Sequence, residues 1–362
     1  MFWQHRTTQQ TTAATPYCKR LQIHLEVGTL GCAMRCTLLP RSLALLPALA
    51  LLAALLLLAS PALARDPARK LKVVTTVAPH ADLVREIAGD RVELVQMIPD
   101  GTDSHTYEPR PSDASVLQSA DLIVLNGLHL ETPTQRMADA NKKPDTPYLL
   151  LGDSTISPTD YLFDFSFPAA NGDPNPHLWL NVAYAKNYAQ LITNQLTAMD
   201  PDNAAYFQAN FATLSGRMDL LDQAIFQAVQ TLPENNRKLL TYHDSWAYFG
   251  QRYGMQVIGA IQPNDFGEPS PREVAALIDQ IRANNLPAIF GSEVYPSKVL
   301  EVIGRETGAS YVSSLRDDEL PGAPDGPGHT YLGLMLDDVR TMFGALGGRT
   351  DMFDLIDPTP IT

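Results

Sequence analysis

The chain has 362 residues, enough for two domains of ordinary size, and 45% of its residues are hydrophobic. Residues 65–362 carry 22 basic and 39 acidic side chains, and this negative balance argues against nucleic acid or an anionic membrane surface as a partner. Cys18, Cys32 and Cys36 all precede residue 65, so the remaining chain offers no thiol for a disulfide or a metal ion.

The first 64 residues have the pattern of a leader with an export signal. Residues 42–64 are almost entirely apolar, follow two arginines and end in Ala-Leu-Ala, which predicts cleavage after Ala64. A retained membrane anchor is the alternative, because an apolar run of this length can span a bilayer. Met34 is an alternative start to Met1, since an ordinary basic leader follows it. We expect an exported protein, in the periplasm or on the outer face of the cytoplasmic membrane.

Alternating strand and helix patterns predict parallel βαβ units after the leader. Apolar and β-branched runs predict strands at 71–77, 91–98, 122–125 and 148–151. Helical patterns are found at 82–89, at 112–118, after Leu128 and at 182–199. Together these elements define a first α/β lobe, residues 65–199.

A long amphipathic helix follows. Apolar residues recur mostly every three or four positions from Tyr206 to Val229, after the helix-starting Asp200-Pro201 pair and before Pro233. A helix of this length spans on the order of 45 Å. We therefore predict that residues 200–233 join two lobes.

The strand and helix alternation then restarts. Strands are predicted at 238–242, 256–261, 288–290 and 310–314, and helices at 245–253, 272–283, 296–307 and 331–346. They form a second α/β lobe, residues 234–348, while residues 349–362 lack periodicity and are predicted to be a loose tail. The predicted fold is α/β: two lobes with parallel β-sheets flanked by helices, joined by one long α-helix.

Three histidines share one kind of position in this arrangement. His105 lies in a loop after a strand, His177 opens a helix and His243 ends a strand. Open α/β domains bind ligands at the carboxyl ends of their strands. Imidazoles that meet in such a cleft, without thiols, suit Zn²⁺, which then needs one further oxygen or nitrogen ligand. The chain contains no HExxH motif, no Ser/His/Asp signature and no phosphate-binding loop that would indicate a hydrolase.

Several segments carry the pattern of a known family. They are VVTTVAPHADLVREIAGDRVELVQMIPDGTDSHTYEPRPSD, ADLIVLNGLHLE, NPHLWLN, TYHDSWAYFGQRYG, EPSPREVAALIDQI and GHTYLGLMLDDV. From Leu71 to about Gly347 the chain resembles the zinc/manganese solute-binding proteins of metal ABC importers. The resemblance implies a non-enzymatic, monomeric protein that captures a divalent transition metal, Zn²⁺ or alternatively Mn²⁺, and delivers it to an ABC permease in the membrane.

The resemblance also implies three imidazole ligands. The histidine of the family's Asp-Pro-His-x-Tyr loop matches His105, where Ser104 replaces the proline. The histidine of its Pro-His-x-Trp-Leu segment matches His177. Its third ligand, which is histidine in most zinc-type members, matches His243. Unlike many zinc-type members, this chain has no histidine-rich loop between residues 131 and 176.

The fourth ligand is implied less directly. The family has an aspartate at a turn that here reads Ser313-Ser314-Leu315, so the expected acid is absent. Asp318, in the loop that follows, is our choice for this ligand, and Asp317 is the alternative. A secreted zinc-dependent hydrolase that uses the same ions is the alternative function, and an adhesin is a third.

Other side chains have supporting roles in this interpretation. Aromatic residues expected to pack around the metal and exclude water are Trp179, Trp246 and Tyr248. Histidines outside the matched positions are His80, His129 and His329; the first two are predicted to be structural or surface residues, and the third is a candidate to face the cleft. Carboxylates that are candidates for hydrogen bonds to ligands, with a solvated position as the alternative, are Glu268 and Glu293.

Overall fold

A computed structural model describes residues 69–262, 266–292, 294, 298–324 and 326–362, with Ser314 described by its backbone alone. The predicted leader and export signal, the two candidate start positions, the three cysteines and Glu293 lie outside these residues. Within the described ranges, no helix combines the length and apolar character needed to cross a bilayer.

The first lobe is built on a four-stranded parallel sheet. Its strands are β1 (Leu71–Thr75), β2 (Val92–Gln96), β3 (Leu122–Leu125) and β4 (Tyr148–Leu150), in the spatial order β2-β1-β3-β4. Its helices are α1 (Ala78–Ala88), α2 (Asp113–Ser119), α3 (Thr132–Asn141) and α4 (Val182–Met199). All four residues of β3 are buried, as expected for a parallel strand covered on both faces. Helix α1 begins earlier than predicted because Pro79 fits its first turn.

Helix α5 (Ala204–Thr231) is the predicted linking helix. It has 28 residues and spans about 42 Å at 1.5 Å per residue. Buried side chains recur along one side of it, at Phe207, Leu214, Met218, Leu221, Ile225 and Val229. This spacing gives α5 an apolar stripe that can pack against both lobes.

The second lobe repeats the topology of the first. Strands β5 (Lys238–Thr241), β6 (Gln256–Ala260), β7 (Ala288–Ser292) and β8 (Ser310–Leu315) form a parallel sheet in the order β6-β5-β7-β8. Its helices are α6 (Ala247–Tyr253), α7 (Pro271–Asn284), α8 (Lys298–Thr307) and α9 (Tyr331–Ala345). The predicted strand and helix alternation is therefore confirmed in both lobes.

One hydrophobic core joins the lobes. Val73 of the first sheet, Leu239 and Phe290 of the second sheet, and Met218 and Leu221 of α5 are all buried in the same cluster. Separating the lobes would expose this surface at about 25 cal/mol per Å² of apolar area. The core therefore fixes the loops at the carboxyl ends of the two sheets relative to each other.

The C-terminal residues 349–362 are packed, which corrects the prediction of a loose tail. The Phe353 ring is fully buried and stacks on Phe343 of α9, with ring centroids 6.0 Å apart. Further on, the Ile361 amide donates a hydrogen bond of 2.9 Å to the Glu86 carboxylate of α1. Single buried side chains on an irregular segment leave no periodic signal, which is why sequence patterns did not find this contact.

The packed tail predicts a loss of stability when its anchor is removed. We expect Phe353→Ala to lower the free energy of unfolding by about 3–5 kcal/mol, because it leaves a cavity in the core. Leu355→Ala is the matched control: this side chain is 90% exposed, and its removal should change stability by less than about 0.5 kcal/mol. Urea unfolding of both variants measures the difference, and equal stabilities would contradict the packed tail.

Candidate metal centre

Loops from both lobes bring three histidines together. His105 follows β2, His243 lies two residues after the end of β5, and His177 precedes a short 3-10 turn that leads into α4. The Nε2 atom of His177 lies 3.1 Å from Nε2 of His105 and 3.0 Å from Nε2 of His243. One ligand atom from each residue lies within 4.8 Å of the other two. The structure thus unites side chains separated by 72 and 66 residues in the chain.

A buried carboxylate lies beside this triad. Oδ2 of Asp317 is 3.6 Å from Nε2 of His243. The indole N–H of Trp179 donates a hydrogen bond of 2.8 Å to the main-chain carbonyl of Asp317 and so fixes the start of the loop that follows β8. Asp318 is also buried in this loop. Asp317, which was the alternative to Asp318, therefore approaches one imidazole of the triad, that of His243.

Two side-chain amides set the proton positions of the imidazoles. Nδ1 of His177 lies 2.8 Å from Oδ1 of Asn175, and Nδ1 of His243 lies 2.6 Å from Oε1 of Gln262. An amide oxygen only accepts hydrogen bonds, so each neutral imidazole carries its proton on Nδ1. The lone pair of each Nε2 then points to the centre of the triad, in the form that binds metal ions.

Asn175 is itself held by groups from both lobes. Its Nδ2 donates hydrogen bonds to the main-chain carbonyl of Asp244, at 2.7 Å, and to the carboxyl group of Asp164, at 3.0 Å. Its Oδ1 also accepts a hydrogen bond from the backbone N–H of His177, at 3.1 Å. Burial and the nearby Asp244 carboxylate raise the pKa of Asp164 to about 9. These contacts fix the orientation of the amide and therefore that of the imidazole.

The environment keeps the imidazoles of His105 and His177 neutral. His177 is fully buried, His243 is 4% exposed and His105 is half-buried. Burial, and then the charge that the neighbouring His243 would carry, lower the pKa of His105 and of His177 well below the ordinary value for histidine. Neutral imidazole is the metal-binding form, so protons compete little for these two ligands near neutral pH.

Aromatic rings cover the triad. The Phe266 ring stacks on His105 with centroids 4.7 Å apart, and the Phe167 ring lies 5.4 Å from the same imidazole. Trp179 packs against His177 at 5.1 Å, as the sequence predicted for this residue. Apolar covering lowers the local dielectric constant and strengthens electrostatic interactions inside the site.

The other predicted aromatic and acidic residues lie farther out. Trp246 packs against Phe249 of α6, with ring centroids 5.1 Å apart. The Tyr248 hydroxyl accepts a hydrogen bond of 3.1 Å from the backbone N–H of Leu162. Glu268 is exposed, which is the position of a solvated carboxylate.

The other histidines within residues 69–362, where the structure describes them, do not join the triad. His80 is fully buried in α1, where its ring makes an edge contact with Trp179 at a centroid distance of 5.0 Å. The side chain of His129 is 65% exposed. Nδ1 of His329 lies 3.2 Å from the main-chain carbonyl of Pro321 in the loop before α9.

Three residues of the site were missed by sequence reasoning. Asn175 lies in the Pro-Asn-Pro-His run, two positions before His177. The motif could therefore have indicated its contact with the His177 imidazole. Gln262 follows β6, the neighbour of β5 in the sheet, and so shares an edge with His243. Phe266 adopts a left-handed backbone conformation, with φ of 57°, that no sequence pattern indicated.

Comparison with known proteins assigns the chain to a protein family. A family model described as zinc-uptake complex component A, periplasmic, matches residues 73–345. The chain belongs to this family. Its members are substrate-binding proteins rather than enzymes, and the resemblance seen in the sequence is confirmed. The chain is 31% identical over 272 residues to the metal ABC transporter substrate-binding lipoprotein FimA of Streptococcus parasanguinis, covering 74% of this chain and 86% of the relative.

A second relative and two solved structures support the same assignment. The manganese ABC transporter substrate-binding lipoprotein PsaA of Streptococcus pneumoniae is 30% identical over 272 residues, with the same coverage of 74% and 86%. The periplasmic zinc binding protein TroA of Treponema pallidum has a TM-score of 0.70 and 27% identity, and the match covers 77% of this chain and 99% of that one. The Mn-bound periplasmic metal binding protein of Candidatus Liberibacter asiaticus has a TM-score of 0.67 and 27% identity, covering 76% and 100%. The predicted fold, two lobes and a long helix, is confirmed.

The proton positions are a testable consequence of the geometry. We expect ¹⁵N NMR of the metal-free protein at pH 7 to show His177 as a neutral ring protonated on Nδ1, and to show a proton on Nδ1 of His243. Because their pKa values are lowered, His105 and His177 should stay uncharged when the pH falls to 5, where an ordinary histidine is protonated. Doubly protonated rings at pH 5, or a proton on Nε2 of His177 at pH 7, would contradict this arrangement.

Proposed function

We propose that the protein is an exported receptor that captures one divalent transition-metal ion between its lobes and delivers it to an ABC permease in the membrane. The observation that supports this most strongly is the approach of three Nε2 atoms, with separations of 3.1 and 3.0 Å from the central His177. In a tetrahedral zinc site with Zn–N distances of 2.0–2.1 Å, two ligand atoms lie about 3.3 Å apart. Shifts of a few tenths of an ångström would bring these two contacts to the spacing of zinc ligands, and one ligand atom of each histidine lies within 4.8 Å of the other two.

We propose Asp317 as the fourth ligand, in preference to the sequence-based choice of Asp318. Its carboxylate oxygen lies 3.6 Å from Nε2 of His243, close to the spacing of two ligands on one ion. A carboxylate also offsets part of the ion's charge, and a buried charge without a partner is costly. The hydrogen bond from Trp179 to the Asp317 carbonyl supports this position.

Three nitrogens and one oxygen favour Zn²⁺ as the ion, with Mn²⁺ as the second candidate. Imidazole suits zinc, whereas manganese is better matched by carboxylate, carbonyl and water oxygens. The relatives do not decide between the two, because PsaA is named as a manganese protein and TroA as a zinc protein. The donor set of this chain is the basis for preferring zinc.

A binding role fits this site better than the hydrolytic alternative. A hydrolytic zinc site keeps an open position for water and places a general base beside it. Here His177 and His243 are buried, aromatic rings pack against His105, and the Asp317 carboxylate lies 3.6 Å from the His243 imidazole. Such surroundings suit an ion that is held and later released. We expect the protein to act as a monomer.

Metal titration tests both the triad and the choice of carboxylate. Isothermal titration, with a competing chelator if binding is tight, should show one Zn²⁺ per chain. We expect His177→Ala to weaken binding by more than about 100-fold, because even residues that only support ligands contribute 10–100-fold.

The two aspartates form a matched pair for the same assay. Asp317→Asn should weaken Zn²⁺ binding at least about tenfold, whereas Asp318→Asn should leave it within about threefold of the wild type. The reverse order would restore Asp318 as the fourth ligand. Wild-type affinity in His177→Ala would contradict the proposed function.

A further inference from the structure

A cavity beside the triad connects it with a second pair of possible metal ligands. The cavity has a volume of about 160 Å³, and its lining includes His105 as well as His129 and Asp173. This volume holds several water molecules, so it has room for a partly hydrated ion. The cavity is therefore lined by the half-buried imidazole of His105 and also by a second imidazole and a carboxylate.

His129 and Asp173 form an exposed imidazole and carboxylate pair. Nδ1 of His129 lies 3.6 Å from Oδ1 of Asp173, and the two side chains are 65% and 56% exposed. These are the donor types of the proposed metal centre, one nitrogen and one oxygen. Their separation is that of two neighbouring ligands on one ion, and their exposure lets a hydrated ion reach them from solvent.

The backbone that carries His129 has an unusual conformation. Gly127, Leu128 and His129 all have positive φ, at 77°, 50° and 67°. Leu128 and His129 carry a Cβ, and for such residues this conformation is sterically unfavourable. At Gly127 the positive φ and the nearby Asp153 carboxylate both favour a residue without a Cβ. Strain of this kind persists where neighbouring groups over-determine it, and it is concentrated at functional sites.

Buried polar groups hold this loop at a fixed distance from the triad. The Glu131 carboxylate accepts hydrogen bonds from the backbone N–H groups of Asn126, at 2.6 Å, and Gly127, at 3.1 Å. The Asn126 side chain donates a hydrogen bond of 3.0 Å to the main-chain carbonyl of Pro176, the residue before His177. The loop of His129 is thus tied to the segment that carries a proposed ligand.

We propose that His129 and Asp173 form an entry site, which takes a divalent cation from solvent and passes it through the cavity to His105. The inference rests on the proposed function and adds the route by which the ion arrives. A hydrated ion has to exchange its waters for buried ligands, and a donor pair at the mouth of the cavity provides an intermediate stage for that exchange. The pair serves the approach of the ion and takes no part in the final coordination.

Stopped-flow kinetics with Zn²⁺ and the full chain test this route. We expect His129→Gln and Asp173→Asn each to slow association by about threefold to tenfold, since charged and polar rim residues act mainly on association rates. Dissociation should slow by the same factor, so the equilibrium affinity stays at the wild-type value. His329→Gln is the control, because it removes an imidazole that is not part of this cavity lining.

The outcomes are distinguishable. Association in His129→Gln at the rate of the His329→Gln control would overturn the entry site. A slower association with unchanged dissociation would also overturn it, because the affinity would then fall and His129 would stabilise the bound ion as much as its entry. If the wild-type protein binds no Zn²⁺ at equilibrium, the proposed function itself fails.

Discussion

The site depends on imidazole nitrogens that supporting hydrogen bonds hold in place. Nδ1 of His177 donates to the amide oxygen of Asn175 and Nδ1 of His243 donates to that of Gln262, so both Nε2 atoms face the centre of the triad, 3.0 Å apart. Burial lowers the pKa of His177, so its Nε2 presents a lone pair there. The geometry is therefore pre-organised for an ion that imidazole lone pairs would bind.

The scaffold holds the three imidazoles together. Helix α5 and the apolar cluster shared by both lobes fix the two sheets relative to each other, so the loops after β2 and β5 meet. Contacts across the cleft add to this, notably Asn175 with the Asp244 carbonyl and Trp179 with the Asp317 carbonyl. A core of this extent favours small closing movements of the loops over a wide hinge motion of the lobes.

The sequence predicted the scaffold and singled out the three histidines that the structure brings together, because both leave regular signals. Strand and helix periods gave the lobes and α5, and position at strand ends singled out His105, His177 and His243. The fourth ligand was ambiguous because the loop after β8 has neither periodicity nor the family's usual motif, so Asp317 and Asp318 looked alike. Contacts made by single side chains on irregular segments, such as those of Gln262 and of the C-terminal tail, depend on tertiary packing and leave no pattern in the sequence.

The most direct test of the central claim is a crystal structure of the zinc-loaded protein, with the ion located by anomalous diffraction at the zinc edge. The account predicts one ion in the seam between the lobes, bonded to Nε2 of His105, His177 and His243 at about 2.0–2.1 Å and to one carboxylate oxygen. An ion bound outside this triad, or held by histidines of one lobe alone, would contradict it.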